Sequence, residues 1–446
     1  MATTLPDGTI SRFHWKIEIF GGVPLLLNAL DIGVPSFALA QLVGLWGLSP
    51  MQIGVVAMAS AIGSLPGSIF FGHLTDRIGR RSTLRLSLST MAIGTALGAV
   101  SWDYLSLAAF QLIAGLGLGG TTPAVSAFVG EFAPAKHRGR LTTMMETFYV
   151  MGSLLAALGS LFILTQFGWR IAFVYGGLPL LWVLVLHKFM PESPRYLISR
   201  GRLDEARQFL AQVKERYGLS YDHLVNNPAH ENGGLIASLR EIWSGPLARR
   251  TACTWLLSFV MVYASFGIFV WLPTLLTASG LEILRTIQYM LVLTVIQIPA
   301  VLAAAFLVDK VGRKWLLAPA FLVCGGASYA FGRAGSPVEV LFWGSLISLS
   351  LFMVRGVWLA YTAELFPTRL RGTGAGSASA FGRVAGIIVP GAIAVLIGTW
   401  SNGYEMVFVM FAAVLFAGAL STVVLGEETK GRTLEEIAAT APARNG

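Results

Sequence analysis

Two loop patterns each occur twice in this chain, and both pairs are separated by 233 residues. Gly72-His-Leu-Thr-Asp-Arg-Ile-Gly-Arg-Arg81 returns as Ala305-Phe-Leu-Val-Asp-Lys-Val-Gly-Arg-Lys314, so that Asp76 matches Asp309, Gly79 matches Gly312 and Arg80 matches Arg313. Glu131-Phe-Ala-Pro-Ala-Lys-His-Arg-Gly139 returns as Glu364-Leu-Phe-Pro-Thr-Arg-Leu-Arg-Gly372. Unrelated patterns recurring at one spacing mean two copies of a single unit.

The stretches between these loops are apolar and roughly 20 residues or longer, the length of a helix that crosses a bilayer. Spans are predicted near 17–45, 52–71, 83–101, 104–129, 141–166 and 169–190, and again near 251–276, 283–308, 315–332, 338–363, 373–398 and 404–425. With 55% hydrophobic residues, 12% charged and a mean hydropathy of +0.68, no water-soluble domain of 446 residues could hide its apolar surface. The expected fold class is an all-α integral membrane protein of twelve transmembrane helices in two parallel-repeat six-helix halves. The halves are residues 17–190 and 251–425, with a polar N-terminus (1–16), a linker (191–250) carrying an amphipathic run at Leu203–Tyr217, and a charged tail (426–446). Parallel duplicated halves of this kind are a transporter architecture.

The net charge of +9 and pI of 9.7 would suit a nucleic-acid partner, but the placement of the charge argues against one. In the twelve-span arrangement 27 of the 32 Lys and Arg fall on one face. That is the positive-inside pattern, which makes this basic face and both termini cytoplasmic. Short loops and the lack of a large external domain fit a bacterial plasma membrane. No cleavable leader pattern precedes the first span. Cys253 and Cys324 sit in apolar runs and read as packing residues, and the six His show no metal-ligand spacing. Gly115-Leu-Gly-Leu-Gly-Gly120 matches G-x-G-x-x-G, but no strand precedes it, so its glycines read as a close helix contact. There is no phosphate loop to drive transport with ATP, and no nucleophile–base or metal constellation to suggest an enzyme. No cofactor is expected.

Charges inside spans cost roughly 2.5–3.5 kcal/mol at a helix centre, so they mark cavities or partners. Asp31 lies about 22 Å along a helix from Lys16. Two readings stand for it, proton or substrate coupling and an internal structural hydrogen bond. Asn28 lies one turn before. Arg355 lies about 13 Å inward from Glu364. It either forks onto a substrate carboxylate or forms an internal salt bridge, with Asp31 one candidate partner. Arg383 reads more simply as structural. At the basic face, Gly72, Asp76, Arg77, Gly79, Arg80 and Arg81, with Asp309, Gly312 and Arg313 in the second copy, read as gating loops, in which Asp76 accepts hydrogen bonds at a helix start and Arg77, Arg80 and Arg81 pair with carboxylates on neighbouring helices. Glu131 with Arg138 and Glu364 with Arg371 are expected to form latches, joined by Glu192 and Arg195. Exposed pairs worth about 0–1 kcal/mol each would open readily. The competing reading is a solvated basic face.

These residues resemble the major facilitator superfamily over nearly the whole chain, and the Gly72–Arg81 loop carries the likeness most specifically. Pro191-Glu-Ser-Pro-Arg-Tyr-Leu197 and Glu428-Thr-Lys-Gly-Arg432 resemble the marks of its sugar-porter and metabolite-symporter branches. Asn28–Gly33, Glu131–Arg140, Trp271-Leu-Pro-Thr274, Tyr361–Gly374 and Phe381-Gly-Arg-Val384 are most similar to bacterial niacin and aromatic-acid proton symporters. The resemblance implies a secondary transporter whose spans 1, 4, 7 and 10 line a central cavity, carrying a small-molecule substrate with protons and acting without partner subunits, as a monomer. Those relatives commonly carry an acid after the double glycine of span 4. Here Thr121 and Thr122 follow, which with Arg355 makes the cavity more positive and favours an anion. Tyr149, Tyr263, Trp271, Trp358 and Tyr361 lie at similar depth, where they either sandwich a ring or pack helices. The expected function is proton-coupled symport of a small organic acid, aromatic or heterocyclic. The alternatives are a sugar or polyol symporter, a drug-type exporter and a nutrient sensor that carries nothing.

Overall fold

The computed structural model describes residues 11–132, 138–219, 221, 235–278, 282–367 and 370–430, and the side chains of Asp76, Arg138, Asp309 and Arg371 lie outside the described set. Among the described residues there are helices and no strands. Twelve helices are long and apolar enough to cross a membrane. Spans 1–6 are Arg12–Trp46, Pro50–Thr75, Arg80–Val100, Tyr104–Phe132, Met144–Gln166 and Trp169–Phe189. Spans 7–12 are Gly245–Thr277, Ile283–Val308, Arg313–Phe331, Pro337–Thr362, Thr373–Thr399 and Gly403–Leu425.

The helices begin earlier than apolarity alone suggests where the chain supplies a cap. Span 1 starts at Arg12 because Ser11 closes its end: the Ser11 Oγ accepts from Phe13 N–H at 3.2 Å, and His14 Nδ1 accepts from Ser11 N–H at 3.1 Å. Span 7 starts at Gly245, with Pro246 in the first turn where its missing N–H costs nothing. It contains a π-helical segment, Ser265–Val270. The amphipathic run of the linker forms a helix, Leu203–Tyr217, whose Phe209 and Tyr217 rings pack against Phe13 at the start of span 1.

Spans 2 and 4 meet backbone to backbone. A Cβ at Gly63 or Gly67 would stand 2.1 Å from the carbonyl oxygens of Leu112 and Leu116, and one at Gly115 would stand 2.0 Å from that of Ser60. The G-x-G-x-x-G string is therefore a helix-packing surface, since small residues let helices approach where lipid supplies no hydrophobic drive. The first six spans meet the last six chiefly where span 2 packs on span 11 and span 5 on span 8, and also where span 1 meets span 7 and span 5 meets span 10. The turns entering spans 3 and 9 each need one glycine, Gly79 at φ +93° and Gly312 at φ +104°.

Replacing Gly115 by Val forces spans 2 and 4 apart. The expected outcome is a purified protein whose melting temperature in detergent falls by several degrees, from an overpacking cost of about 1–3 kcal/mol. Gly326→Ala in span 9, where nothing lies within 4 Å of the added methyl, serves as the matched control and leaves the melting temperature level or higher.

Candidate functional site

A cavity of about 1220 Å³ lies between the first and last six spans. Helical periodicity selects its walls. Asn28, Ile32 and Ser36 face it from span 1, Glu146, Tyr149 and Ser153 from span 5, Phe352, Arg355, Trp358 and Leu359 from span 10, and Ser379, Ala380 and Arg383 from span 11. It continues past Gly130 to Arg313, Glu364, Thr429 and Lys430, so it reaches the basic face.

The central feature is an ion pair that links the two sets of spans. Arg355 Nε of span 10 donates to Glu146 Oε2 of span 5 at 2.5 Å, and the guanidinium lies 3.9 Å from the Tyr149 ring centroid. The side chains are only 17% and 9% exposed, so the pair is poorly screened by water. Arg355 thus forms the internal salt bridge weighed above, but with Glu146 rather than Asp31. Asp31 occupies the other side of span 1, where it accepts a hydrogen bond from Thr95 Oγ1 of span 3 and does not line the cavity. Arg383 reaches across the same divide, its Nη2 donating to Gly119 O at 3.4 Å. It pairs with no carboxylate among the described residues. Deep in the cavity, two guanidinium groups therefore face one carboxylate.

The other expected site residues divide. Thr122, Tyr149 and Trp358 line the cavity, with Trp358 Nε1 held by Ser258 Oγ at 3.1 Å. Thr121 turns back onto Gly117 O at 3.3 Å. Tyr263 packs between Phe259 and Phe411, Trp271 is buried away from the cavity, and the Tyr361 hydroxyl donates to Glu427 O at 2.7 Å. Those three serve helix packing in this structure.

At the basic face the acids pair within each set of six spans. Arg80 Nε donates to Glu131 Oε1 at 3.0 Å, and Glu131 also accepts from the Ser193 hydroxyl. Arg313 donates to both oxygens of Glu364 at 3.1 Å, and Glu364 also accepts from the Thr429 hydroxyl at 2.7 Å. The described partners of Glu131 and Glu364 are therefore the arginines that open spans 3 and 9 together with the hydroxyls of Ser193 and Thr429, while the expected partners Arg138 and Arg371 lie outside the described side chains. Glu131 and Arg80 are 6% and 13% exposed, so the weak surface pair expected from sequence is instead a largely buried brace. Glu192 accepts from the N–H groups of Arg80 and Arg81 at 2.8 and 3.2 Å, and Glu428 from those of Arg313 and Lys314 at 3.0 and 3.1 Å. Each carboxylate sits at a helix N-terminus, where unpaired N–H groups and the helix dipole favour negative charge. The glycines before these helices admit the acids, because a Cβ at Gly79 or Gly312 would meet Glu192 or Glu428 at 2.5 Å. Arg195 acts electrostatically on Glu131 as well. The Arg77 carbonyl accepts from Arg200, Arg81 donates to the His187 carbonyl, and Gly72 has open space around it.

The sequence reading missed the roles of two acids. Glu146 is the acid the cavity was thought to lack, displaced from span 4 to span 5. Glu428 repeats the role of Glu192 from the far end of the chain. Glu18 in span 1 is 1% exposed, and neither of its oxygens has a hydrogen-bond partner among the described residues.

The family model described as "Sugar (and other) transporter" matches residues 18–441. The niacin transporter NiaP of Acinetobacter baylyi is 39% identical over 429 residues, covering 96% of this chain and 97% of that protein. The benzoate transport protein of the same organism is 24% identical over 392 residues, covering 86% and 84%. Among solved structures, the inward open form of the xylose transporter XylE from E. coli superposes with a TM-score of 0.77 at 22% identity, covering 96% of this chain and 100% of that one. Its partially occluded inward open form gives 0.78 at 21% identity, covering 95% and 100%. The likeness to these two structures is one of fold. With a family match over nearly the whole chain and a relative aligned end to end, the chain belongs to the sugar (and other) transporter family of the major facilitator superfamily, as a multi-pass membrane transporter and not an enzyme.

Proposed function

We propose that this transporter carries a small aromatic or heterocyclic carboxylate, niacin-like, together with a proton. Its basic face and both termini lie in the cytoplasm of a bacterial cell, and it acts as a monomer without nucleic acid. Residues 17–190 and 251–425 rock about the cavity as two bodies, each braced at the basic face by its own acid–base network. The observation that carries this reading is the Glu146–Arg355 pair inside a cavity that holds a further guanidinium, Arg383.

The Nη1 and Nη2 donors of Arg355 have no hydrogen-bond partner among the described residues, so an entering carboxylate can take them. The substrate anion then competes with Glu146 for one cation. A proton on Glu146 removes the competitor, so proton and substrate bind best together, and that is the coupling. Arg383 offsets the remaining negative charge. Tyr149 and Trp358 present ring faces to an aromatic substrate. In this scheme Asp31 fixes span 1 to span 3 from behind. The names of the relatives, a niacin transporter and a benzoate transport protein, agree with such a substrate. A neutral sugar, by contrast, would leave Arg383 without a counter-charge.

Proteoliposomes with an inward proton gradient are expected to accumulate labelled nicotinate, and a protonophore is expected to abolish the accumulation. Uptake of glucose or xylose with no carboxylate uptake would overturn the reading. Glu146→Gln, which mimics the protonated acid, should keep nicotinate exchange down a concentration gradient while losing proton-driven accumulation. Arg355→Ala leaves Glu146 buried and unpaired, a cost of about 3–5 kcal/mol, and should lower both activities at least ~100-fold. Normal coupled uptake in both variants would sink the mechanism.

A further inference from the structure

At the basic face, the ends of spans 3 and 6 bring Arg81, Arg85, His187 and Lys188 together. Arg81 and Arg85 stand one turn apart on span 3. The Arg81 guanidinium donates to the His187 carbonyl of span 6, and Arg85 Nη1 meets the His187 ring at Nδ1. Lys188 follows on span 6, exposed, with its ammonium over the Phe189 ring. Among the described residues none of these three cations pairs with a carboxylate. Glu192 accepts from the Arg81 N–H group and not from its guanidinium. The second half repeats the brace without the cluster. Lys314 matches Arg81, and its Nζ likewise donates to a backbone carbonyl, that of Gly426, at 3.0 Å. Ala318, however, stands where the repeat spacing puts Arg85, and span 12 closes on Val423-Val424-Leu425 with no cation. Membrane topology acts on both halves alike, so it does not account for the extra charge on one of them.

We propose that the groove between the basic ends of spans 3 and 6 binds the headgroup phosphate of an anionic phospholipid, and that the bound lipid ties the two helices together. The neighbouring surface fits the rest of such a molecule. Leu86 of span 3 and Leu184 and Phe189 of span 6 are exposed apolar side chains on the same two helix ends, where acyl chains lie. Guanidinium groups fork onto phosphate oxygens, and Lys188 adds a point charge at the headgroup level. With Nδ1 of His187 accepting from Arg85, the ring proton sits on Nε2 and is a further donor. Basic pockets between transmembrane helices at a cytoplasmic surface are suited to acidic headgroups. The proposal does not depend on the identity of the cargo.

The full-length protein in neutral detergent is titrated with short-chain phosphatidylglycerol, with phosphatidylcholine of the same chains, and with inorganic phosphate, while its melting temperature is followed. Phosphatidylglycerol alone is expected to raise the melting temperature, by several degrees at saturation. The double variant Arg85→Gln, Lys188→Gln should need roughly 30-fold more of it for half the rise, about fivefold for each cation removed. Lys314→Gln, which takes a cation from the corresponding place in the second half, should respond as the wild type does. If the double variant does not purify as a monodisperse protein, Lys188→Gln alone decides, with a shift of about fivefold. An equal rise with inorganic phosphate assigns the groove to a soluble anion and overturns the lipid proposal. An equal rise with phosphatidylcholine overturns it too, since the headgroup charge then plays no part. So does a variant with the wild-type response, or a Lys314→Gln protein that loses as much as the double variant, which would make the attraction a property of the whole basic face.

Discussion

A guanidinium inside a bilayer-spanning protein has to be answered by something, and the architecture of this transporter follows from how its two are answered. Arg355 meets a carboxylate, Glu146, on the opposite half of the molecule. Among the described residues Arg383 meets only a backbone carbonyl, also on the opposite half. Truncating one partner of a buried charge pair is costly because the other stays behind uncompensated. The pair therefore holds the two sets of spans in register only while both members keep their charge. That makes it a contact that chemistry can undo, unlike the glycine-lined seam between spans 2 and 4.

The contrast between seams and pairs organises the rest of the molecule. Within the first six spans the glycines of spans 2 and 4 bring backbones into direct contact, a geometry with no room for sliding. At the basic face each half is tied to itself, by Glu131 and Glu192 in one case and Glu364 and Glu428 in the other. Between the halves the described polar links inside the cavity are few and rest on two arginine side chains. Tight packing within the first six spans and few polar links across the cavity are what two rocking bodies would require.

The spans, the duplication and the basic face were legible in the sequence because they are written in long apolar runs and in charge placement. Arg355 was legible for the same reason, as a charge where none is cheap. Glu146 was not, although it falls inside the predicted span 5, because it stands within a turn and a half of that span's polar start and its partner is 209 residues away. Asp31 drew attention by its depth, but depth does not give direction. Only the packing of span 1 shows that it turns toward Thr95. That Arg80 meets a carboxylate of a neighbouring helix was legible, but which one was not, because the helix ends that meet in space, Arg80 and Glu131, are 51 residues apart. Glu192 and Glu428 do not fall at the repeat spacing, so the duplication did not reveal that they are counterparts.

The clamp of the second half has a temporal side. Glu428 and Thr429, which close over the entry to span 9 and the end of span 10, lie beyond span 12 in the chain. Their counterparts Glu192 and Ser193 lie directly after span 6. During synthesis the first half can lock its helix ends as soon as the linker leaves the ribosome. The second half cannot lock until the segment that follows span 12 has been made, so its helix ends close after those of the first half.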